Sequence, residues 1–188
     1  MVAQIFANWL RNISESGPFS AKLSEENAPS PDFVVPHELD DTDRRLLTLL
    51  QRQGRTTMQD LGAQAHLSPS ACHRRVQRLE AAGYISGYVA LLDPRRLGRA
   101  TIVFVEITLQ AQAEDLLDAF EREVALIPDV VECHLMAGAA DYLLKVVAAD
   151  AEDFARIHRS RLSRLPGVTQ MQSSFALRTI RSTTALPV

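Results

Sequence analysis

Three short segments in the first half of the chain carry apolar residues at helical spacing. The first segment follows an acidic start at Asp40 or Asp41, which suits the positive end of a helix dipole, and it ends near Gly54. In the second segment, Thr57 and Asp60 have the spacing of a capping box. The pattern predicts two short helices whose inward positions are Leu46, Leu47, Leu49, Leu50, Met58, Leu61 and Ala65.

The third segment predicts a helix with two chemically different sides. Ser68 is a suitable N-cap, Pro69 suits the first helical position, and Gly83 is a suitable left-handed cap at the end. On a helical wheel, the apolar side consists of Cys72, Val76 and Leu79, and the polar side and its flanks consist of Ser70, His73, Arg74, Arg75, Gln77 and Arg78. Because a tight turn at His66-Leu67 joins the last two helices, the three segments predict a helix-turn-helix.

The second half of the chain has a different period. Strands are predicted over 101–109, 130–137, 142–148 and 168–177, and helices over 114–126 and 152–165. The resulting order βαββαβ is ferredoxin-like, with both helices on one face of the sheet. The other face is then left for a partner, and we expect oligomerisation. A further strand is predicted over 84–92, where apolar residues alternate.

These elements predict an α+β chain: an N-terminal helix-turn-helix (winged-helix-like) domain joined by a strand linker to a ferredoxin-like βαββαβ effector domain. The boundaries are an N-terminal tail or linker over 1–36, the helix-turn-helix domain over 37–86, the connecting strand over 87–99, the ferredoxin-like domain over 100–180 and a C-terminal tail over 181–188. The tail contains one candidate amphipathic helix near its start and then turns rich in Ser, Glu, Asn and Pro, and we assign it no role.

Positive and negative residues are unevenly distributed along the chain. The net charge of −3 over 188 residues argues against a nucleic-acid binder when taken alone. Residues 39–99, however, hold ten arginines and six acids, a net charge of +4, whereas 1–38 carries −3 and 100–188 carries −4. The only basic region therefore surrounds the candidate helix, as expected for a DNA-binding module. Two cysteines and the absence of a long apolar run favour a cytoplasmic protein without a membrane segment.

The polar side of the third helix predicts contact with double-stranded DNA. Arginine pairs with guanine and glutamine with adenine, so Arg74, Gln77 and Arg78 are expected to read bases. Ser68, Ser70 and Arg75 are expected to hold phosphates, and His73 flanks them. A solvated helix face is the alternative interpretation.

Several ordered motifs extend across both domains. They are Leu39-Asp40…Asp43, Leu67-Ser68-Pro69-Ser70, Arg75-Val76…Leu79-Glu80, Gly83-Tyr84-Ile85…Gly87-Tyr88, Glu132-Cys133-His134…Gly138…Asp141-Tyr142 and Leu165-Pro166-Gly167-Val168. Over about 39–186, the chain resembles the Lrp/AsnC ("feast/famine") transcriptional regulators. The resemblance implies an effector domain that senses small molecules, usually amino acids, and homodimers that assemble into octamers on DNA.

The resemblance also implies an effector site at the turn between the second and third strands, comprising Met136, Ala137, Gly138, Ala139, Ala140 and Asp141. Backbone amides freed at a tight turn can hold a carboxylate. Ala139 departs from the acidic or polar residue that many relatives carry after this glycine. A plain hairpin is the alternative interpretation of the same turn.

The chain does not carry the residue constellations of an enzyme, a cofactor site or a metal site. Paired carboxylates on one face, a glycine-rich phosphate loop and a nucleophile with a placed base are all missing. Cys72 is expected in the core, and Cys133 and His134 should face opposite sides of a strand, one toward the core and one toward an interface. The alternative function is a metabolite-binding regulatory subunit or enzyme accessory protein without specific DNA binding.

Overall fold

The computed structural model describes residues 38–188, so the predicted tail over 1–36 lies outside the described residues. These residues form two compact units. One comprises residues 38–90 together with Arg181–Val188, and the other comprises Leu91–Ile180. Within residues 38–188, the helices are too short or too polar to cross a membrane.

The first unit contains the predicted helix-turn-helix. Its helices are α1 (Asp41–Arg52), α2 (Met58–Ala65) and α3 (Pro69–Ala81). Asp40, Thr57 and Ser68 are the N-caps, and each side chain accepts the backbone N–H three residues further on, at 2.7, 3.1 and 3.3 Å respectively. After α3 the backbone turns at Gly83, where φ is +75°. The predicted caps and the predicted left-handed turn are confirmed.

The turn between α2 and α3 requires close backbone approach. His66 caps α2 in the left-handed region at φ 57°, and the Leu67 amide donates to the Gly62 carbonyl at 2.8 Å. A Cβ on Gly62 would lie 2.9 Å from the Leu67 oxygen, so this position has no room for a side chain. The core of the unit is Leu46, Leu47, Leu50, Leu61, Ala65, Cys72, Val76 and Leu79, with Leu49 and Met58 only partly buried.

The second unit has the predicted βαββαβ order. Its elements are β1 (Thr101–Leu109), α4 (Glu114–Ala125), β2 (Val130–Leu135), β3 (Tyr142–Ala148), α5 (Ala151–Ser160) and β4 (Val168–Phe175), with a short 3₁₀ turn at Leu162–Arg164. All three strand pairings are antiparallel, in the order β2-β3-β1-β4. Both helices pack on one face of the sheet, where alternate strand residues meet Phe120, Val124, Phe154 and Ile157. The α+β fold class is confirmed.

The strand predicted over 84–92 is wrong. Residues 84–92 pair with no strand of the described chain, and side chains such as Val89 and Leu91 are 85% and 73% exposed. A strand needs a neighbour for its N–H and C=O groups, and alternation of apolar residues does not supply one. The segment does contact its own unit: the Tyr88 hydroxyl donates to the Glu80 carboxylate at 2.9 Å, and burial together with this contact raises the pKa of Tyr88 to about 12.

The end of the chain belongs to the helix-turn-helix unit. Leu186 donates its amide to the side-chain oxygen of Gln51 at 2.5 Å and accepts from the Gln51 amide nitrogen at 3.1 Å. The last eight residues were predicted as a separate tail, and the structure groups them with residues 38–90 instead.

Candidate DNA interface and effector loop

The residues predicted to contact DNA all lie on α3 or at its N-cap, away from the buried apolar stripe of the helix. Ser68, Ser70, His73, Arg74, Gln77 and Arg78 are exposed, and Arg75 is half-buried. Because Cys72, Val76 and Leu79 pack into the core, the helix can turn only its polar side outward. The structure therefore places six of the seven predicted residues on the exposed side of the helix, with Arg75 half-buried beside them.

Three arginine side chains, Arg74, Arg75 and Arg78, line one shallow hollow beside α3. Within residues 38–188, Arg74 has no carboxylate within salt-bridge distance, so its charge remains available to an anion. Arg75 and Arg78, by contrast, each contact α1.

The contacts of Arg75 and Arg78 centre on a buried carboxylate. Asp43 is fully buried, and its Oδ1 accepts from Nη1 of Arg75 at 2.8 Å while its Oδ2 accepts from Nη2 of Arg78 at 3.0 Å. Asp40 accepts from the same Nη1 of Arg75 at 2.7 Å. The Asp43 N–H and the Arg75 guanidinium lower the pKa of the Asp40 carboxyl, and the two carboxylates raise the pKa of Arg75.

Sequence reasoning missed Asp43, although the sequence contains a signal. Asp43 precedes Leu46, Leu47 and Leu50 by three, four and seven residues, so it continues the inward stripe of α1. An acid in an apolar stripe must be paired, because an isolated buried carboxylate is very unfavourable. The spacing indicates a buried ion pair, but it does not identify the partner.

The predicted effector loop, Met136 to Asp141, is an open turn between β2 and β3. Met136 donates its amide to the carbonyl of Asp141 at 2.8 Å and closes the turn. The backbone amides of residues 137–140 have no hydrogen-bond partner within the described chain. A Cβ on Gly138 would meet nothing within 4 Å, so there is free space above the turn.

Asp141 differs from the rest of the loop because it is 8% exposed. Its carboxylate accepts the Leu109 amide at 2.7 Å and the Gln112 side-chain amide at 2.6 Å, and its own N–H donates to Ile107 at 2.8 Å. These bonds join the start of β3 to the end of β1. The structure therefore gives Asp141 a structural role within the loop that the resemblance assigns to the effector.

The sheet face opposite the helices is open. It carries alternate residues of β1 and β3: Ile102, Phe104, Glu106, Leu143, Lys145 and Val147. On the neighbouring strand, the Glu132 carboxylate accepts from Lys145 at 2.6 Å, and this bond lowers the pKa of Glu132. The face is thus partly apolar and partly ionic.

Cys133 and His134 lie on opposite sides of β2, as predicted from the strand period. Cys133 is opposite Leu144, on the side that the helices cover, and His134 is opposite Leu143 on the open face. The expectation that one of them lies in the core is wrong, because β2 is an edge strand and both side chains remain exposed. Partial desolvation on this side of the strand and the nearby Glu121 charge raise the pKa of the Cys133 thiol to about 11. Among residues 38–188, no group of three or more His, Cys, Asp or Glu side chains is placed to hold a metal.

Two family models match the chain. The AsnC-type helix-turn-helix domain matches residues 39–80, and the Lrp/AsnC ligand binding domain matches residues 102–186. The first match lies within the helix-turn-helix unit, and the second covers the βαββαβ elements and extends into residues 181–186.

Similar proteins include the leucine-responsive regulatory protein of Escherichia coli, 38% identical over 151 residues, which are 80% of this chain and 92% of that protein. An HTH-type transcriptional regulator of Sinorhizobium fredii, y4sM, is 47% identical over 61% of this chain and 90% of its own length. Among solved structures, the transcriptional regulator NMB0573 of Neisseria meningitidis in complex with L-Met has a TM-score of 0.76 and 37% identity, over 80% of this chain and 97% of that one. The chain therefore belongs to the Lrp/AsnC family of DNA-binding transcriptional regulators.

Proposed function

We propose that this regulator contacts double-stranded DNA through the polar side of α3. The observation that carries the proposal is the exposure of that side, in the only basic region of the sequence, while the apolar side of the same helix is buried. The contact set is Ser68, Ser70, His73, Arg74, Arg75, Gln77 and Arg78. A recognition helix of this kind enters the major groove, and a symmetric dimer would present two of them to half-sites about one helical turn apart.

Within this set we assign base reading first to Arg74 and Gln77. Both side chains are exposed, and Arg74 is free of carboxylate partners within the described residues. Arg78 was also expected to read bases. Its Nη2 is bonded to Asp43, which leaves Nε and Nη1 for DNA, and we assign those donors with Arg75 to the phosphate backbone.

The test is the affinity of Arg74→Ala for a DNA duplex that the wild-type protein selects from a random library. We expect a loss of about 1–3 kcal/mol on the selected duplex at fixed salt, with little change in thermal unfolding. Arg122→Ala removes an exposed arginine from α4 and serves as the matched control. Unchanged affinity of Arg74→Ala would refute the base-reading assignment. A wild-type protein that selects no sequence would favour the metabolite-binding subunit without specific DNA binding.

We also propose that an amino acid is the effector and that its carboxylate binds the loop of residues 136–141. Support comes from the unpartnered amides of residues 137–140, the open space above Gly138, and the L-Met bound to the Neisseria relative. Because Asp141 already holds the Leu109 and Gln112 amides, the proposed contacts to the ligand come mainly from the backbone. DNA binding then responds through a change in assembly.

Calorimetric titration with each of the twenty amino acids tests the effector proposal. We expect heat from at least one of them, and no heat from the methyl ester of the same amino acid, because the ester lacks the carboxylate. If none of the twenty amino acids gives heat, amino acids are excluded as effectors. An ester that binds as well as the free acid would refute the carboxylate contact alone.

We propose that the open sheet face packs against a second copy of the chain, giving a homodimer, and that dimers assemble further into an octamer. The apolar side chains on that face, including Phe104 and Leu143, support the proposal because the described residues leave them only partly covered. Sedimentation of Phe104→Glu should show monomers, whereas Leu126→Glu, which alters an exposed leucine after α4, should sediment like the wild type. A wild-type monomer at micromolar concentration would refute the dimer.

A further inference from the structure

Fold stability alone does not explain why a carboxylate is buried at Asp43. It lies on α1 and is completely buried, and its carboxylate accepts hydrogen bonds from two arginines of α3. Replacing such an ion pair by well-packed apolar side chains is often neutral or stabilising, so a buried salt bridge is weak evidence for a role in stability. What the pair can supply is orientation, because hydrogen bonds have directions and apolar contacts do not.

Two arginines attach one side of α3 to α1. Arg75 and Arg78 are three residues apart and therefore lie on the same side of the helix, one turn from each other. Both reach Asp43, and Asp40 adds a second acceptor for Arg75 at 2.7 Å. Two attachments on successive turns oppose rotation of the helix more effectively than a single attachment.

The apolar contacts of α3 come from Cys72, Val76 and Leu79, and they fix which side of the helix is buried. The directional bonds to Asp43 act in addition and can set the finer angle. A functional site has to be held within about 0.5 Å and 10–20° of its working geometry. On a helix, a small rotation moves the ends of long side chains such as Arg74 and Gln77 furthest.

We propose that Asp43 is a positioning residue for DNA recognition. Its carboxylate holds Arg75 and Arg78 against α1, so that these two arginines meet the phosphates, and the rotation it imposes on α3 turns Arg74 and Gln77 toward the bases. The inference rests on the proposed DNA contacts of α3. It predicts that Asp43 controls the discrimination between sequences, although it does not touch DNA.

Asp43→Asn and Asp41→Asn form a charge-matched pair that tests the proposal. Both remove one negative charge from the first turn of α1, but Asp41 is exposed and Asp43 is buried between the arginines. The probes are the duplex selected by the wild-type protein and a scrambled duplex of the same length and composition. Affinities for both are measured by fluorescence anisotropy across several salt concentrations, below the unfolding temperature of every variant.

Charge and positioning predict opposite results for Asp43→Asn. Loss of a negative charge strengthens binding to any DNA, so Asp41→Asn should bind both duplexes somewhat more tightly with an unchanged ratio. For Asp43→Asn we expect the ratio of affinities to fall about tenfold, through weaker binding to the selected duplex, because its base contacts lose their geometry. A purely structural role would lower thermal stability and leave this ratio unchanged for the folded protein.

The proposal is overturned if folded Asp43→Asn has a ratio of affinities for the selected and scrambled duplexes within twofold of the ratio for Asp41→Asn. If Asp43→Asn does not fold, Asp43→Glu decides, since it keeps the charge and shifts the carboxylate by one methylene group relative to Arg75 and Arg78. Its ratio should fall while its affinity for the scrambled duplex is retained, and an unchanged ratio would overturn the proposal. An unchanged ratio for Arg74→Ala would instead refute the base contacts themselves, so the two failures are distinguishable.

Discussion

Replacing Asp141 with alanine separates a structural role in the effector loop from a ligand-binding role. In the wild type, the carboxylate accepts the Leu109 amide at 2.7 Å and the Gln112 side-chain amide at 2.6 Å. The Leu109 amide is buried and would lose its acceptor, which costs about 1–3 kcal/mol. Gln112 is exposed and can bond to water instead, so its contribution is smaller. We therefore expect Asp141→Ala to lower the free energy of unfolding by about 2 kcal/mol.

Asp141→Asn gives an internal comparison. It keeps one side-chain oxygen for the Leu109 amide, and we expect it to cost under about 1 kcal/mol. Urea unfolding followed by circular dichroism measures both variants, and hydrogen exchange of the Leu109 amide reports on the bond directly. Exchange should be about tenfold faster for each 1.4 kcal/mol lost in the local opening free energy.

Asp118→Ala removes an exposed acid from α4 and should change the free energy of unfolding by less than about 0.5 kcal/mol. If Asp141→Ala is as stable as this control and the Leu109 amide exchanges as in the wild type, the structural role of Asp141 is refuted. If the expected loss is observed, an effector response abolished by Asp141→Ala cannot be taken as evidence of a direct ligand contact.

Three further predictions concern the helix-turn-helix unit. Gly62→Ala should lower the free energy of unfolding by about 1–3 kcal/mol, because the added Cβ meets the Leu67 carbonyl oxygen at 2.9 Å. Denaturant titration measures this change, and unchanged stability would contradict the close approach. His66→Gly should raise the free energy of unfolding by up to about 1 kcal/mol, since glycine adopts φ 57° without a Cβ penalty. A lower free energy of unfolding in the same titration would show that the imidazole itself is needed. The pKa of Asp40 is lowered from its ordinary value of 3.8, first by the Asp43 amide and then by Arg75, so the stability it supplies is present above about pH 4 and is lost as the pH falls through the lower folded value. Unfolding temperatures between about pH 6 and pH 2 should therefore fall less steeply for Asp40→Asn than for the wild type, and parallel curves would contradict this assignment.

The local features of this chain could be predicted because their causes are local. Each N-cap acts on an amide three residues away, and each helix period repeats every three to four residues, so Asp40, Thr57 and Ser68 are readable in a single window of sequence. Likewise, the order of strands and helices after Ala100 follows from a change of period. The polar side of α3 was predictable for the same reason, because an apolar stripe on one side leaves the other side exposed.

Tertiary structure decided the features that depend on distant residues. Residues 84–92 have the alternation of a strand, but no neighbouring strand in the described chain completes the hydrogen bonds. Asp141 was predictable as a loop residue and not as the acceptor of Leu109, which is 32 residues away. The bond between Leu186 and Gln51 spans 135 residues and has no sequence signal.

The sequence indicates that Asp43 is buried, but it does not predict which residues pair with it. Its place in the apolar stripe of α1 determines that a charged group will be buried there and must be paired, since an unpaired buried carboxylate is too unfavourable to persist. The choice of Arg75 and Arg78, 32 and 35 residues away, depends on how α3 packs against α1. Burial of single side chains is encoded by local periodicity, whereas the pairing of buried charges depends on the relative placement of helices, which only the folded chain specifies.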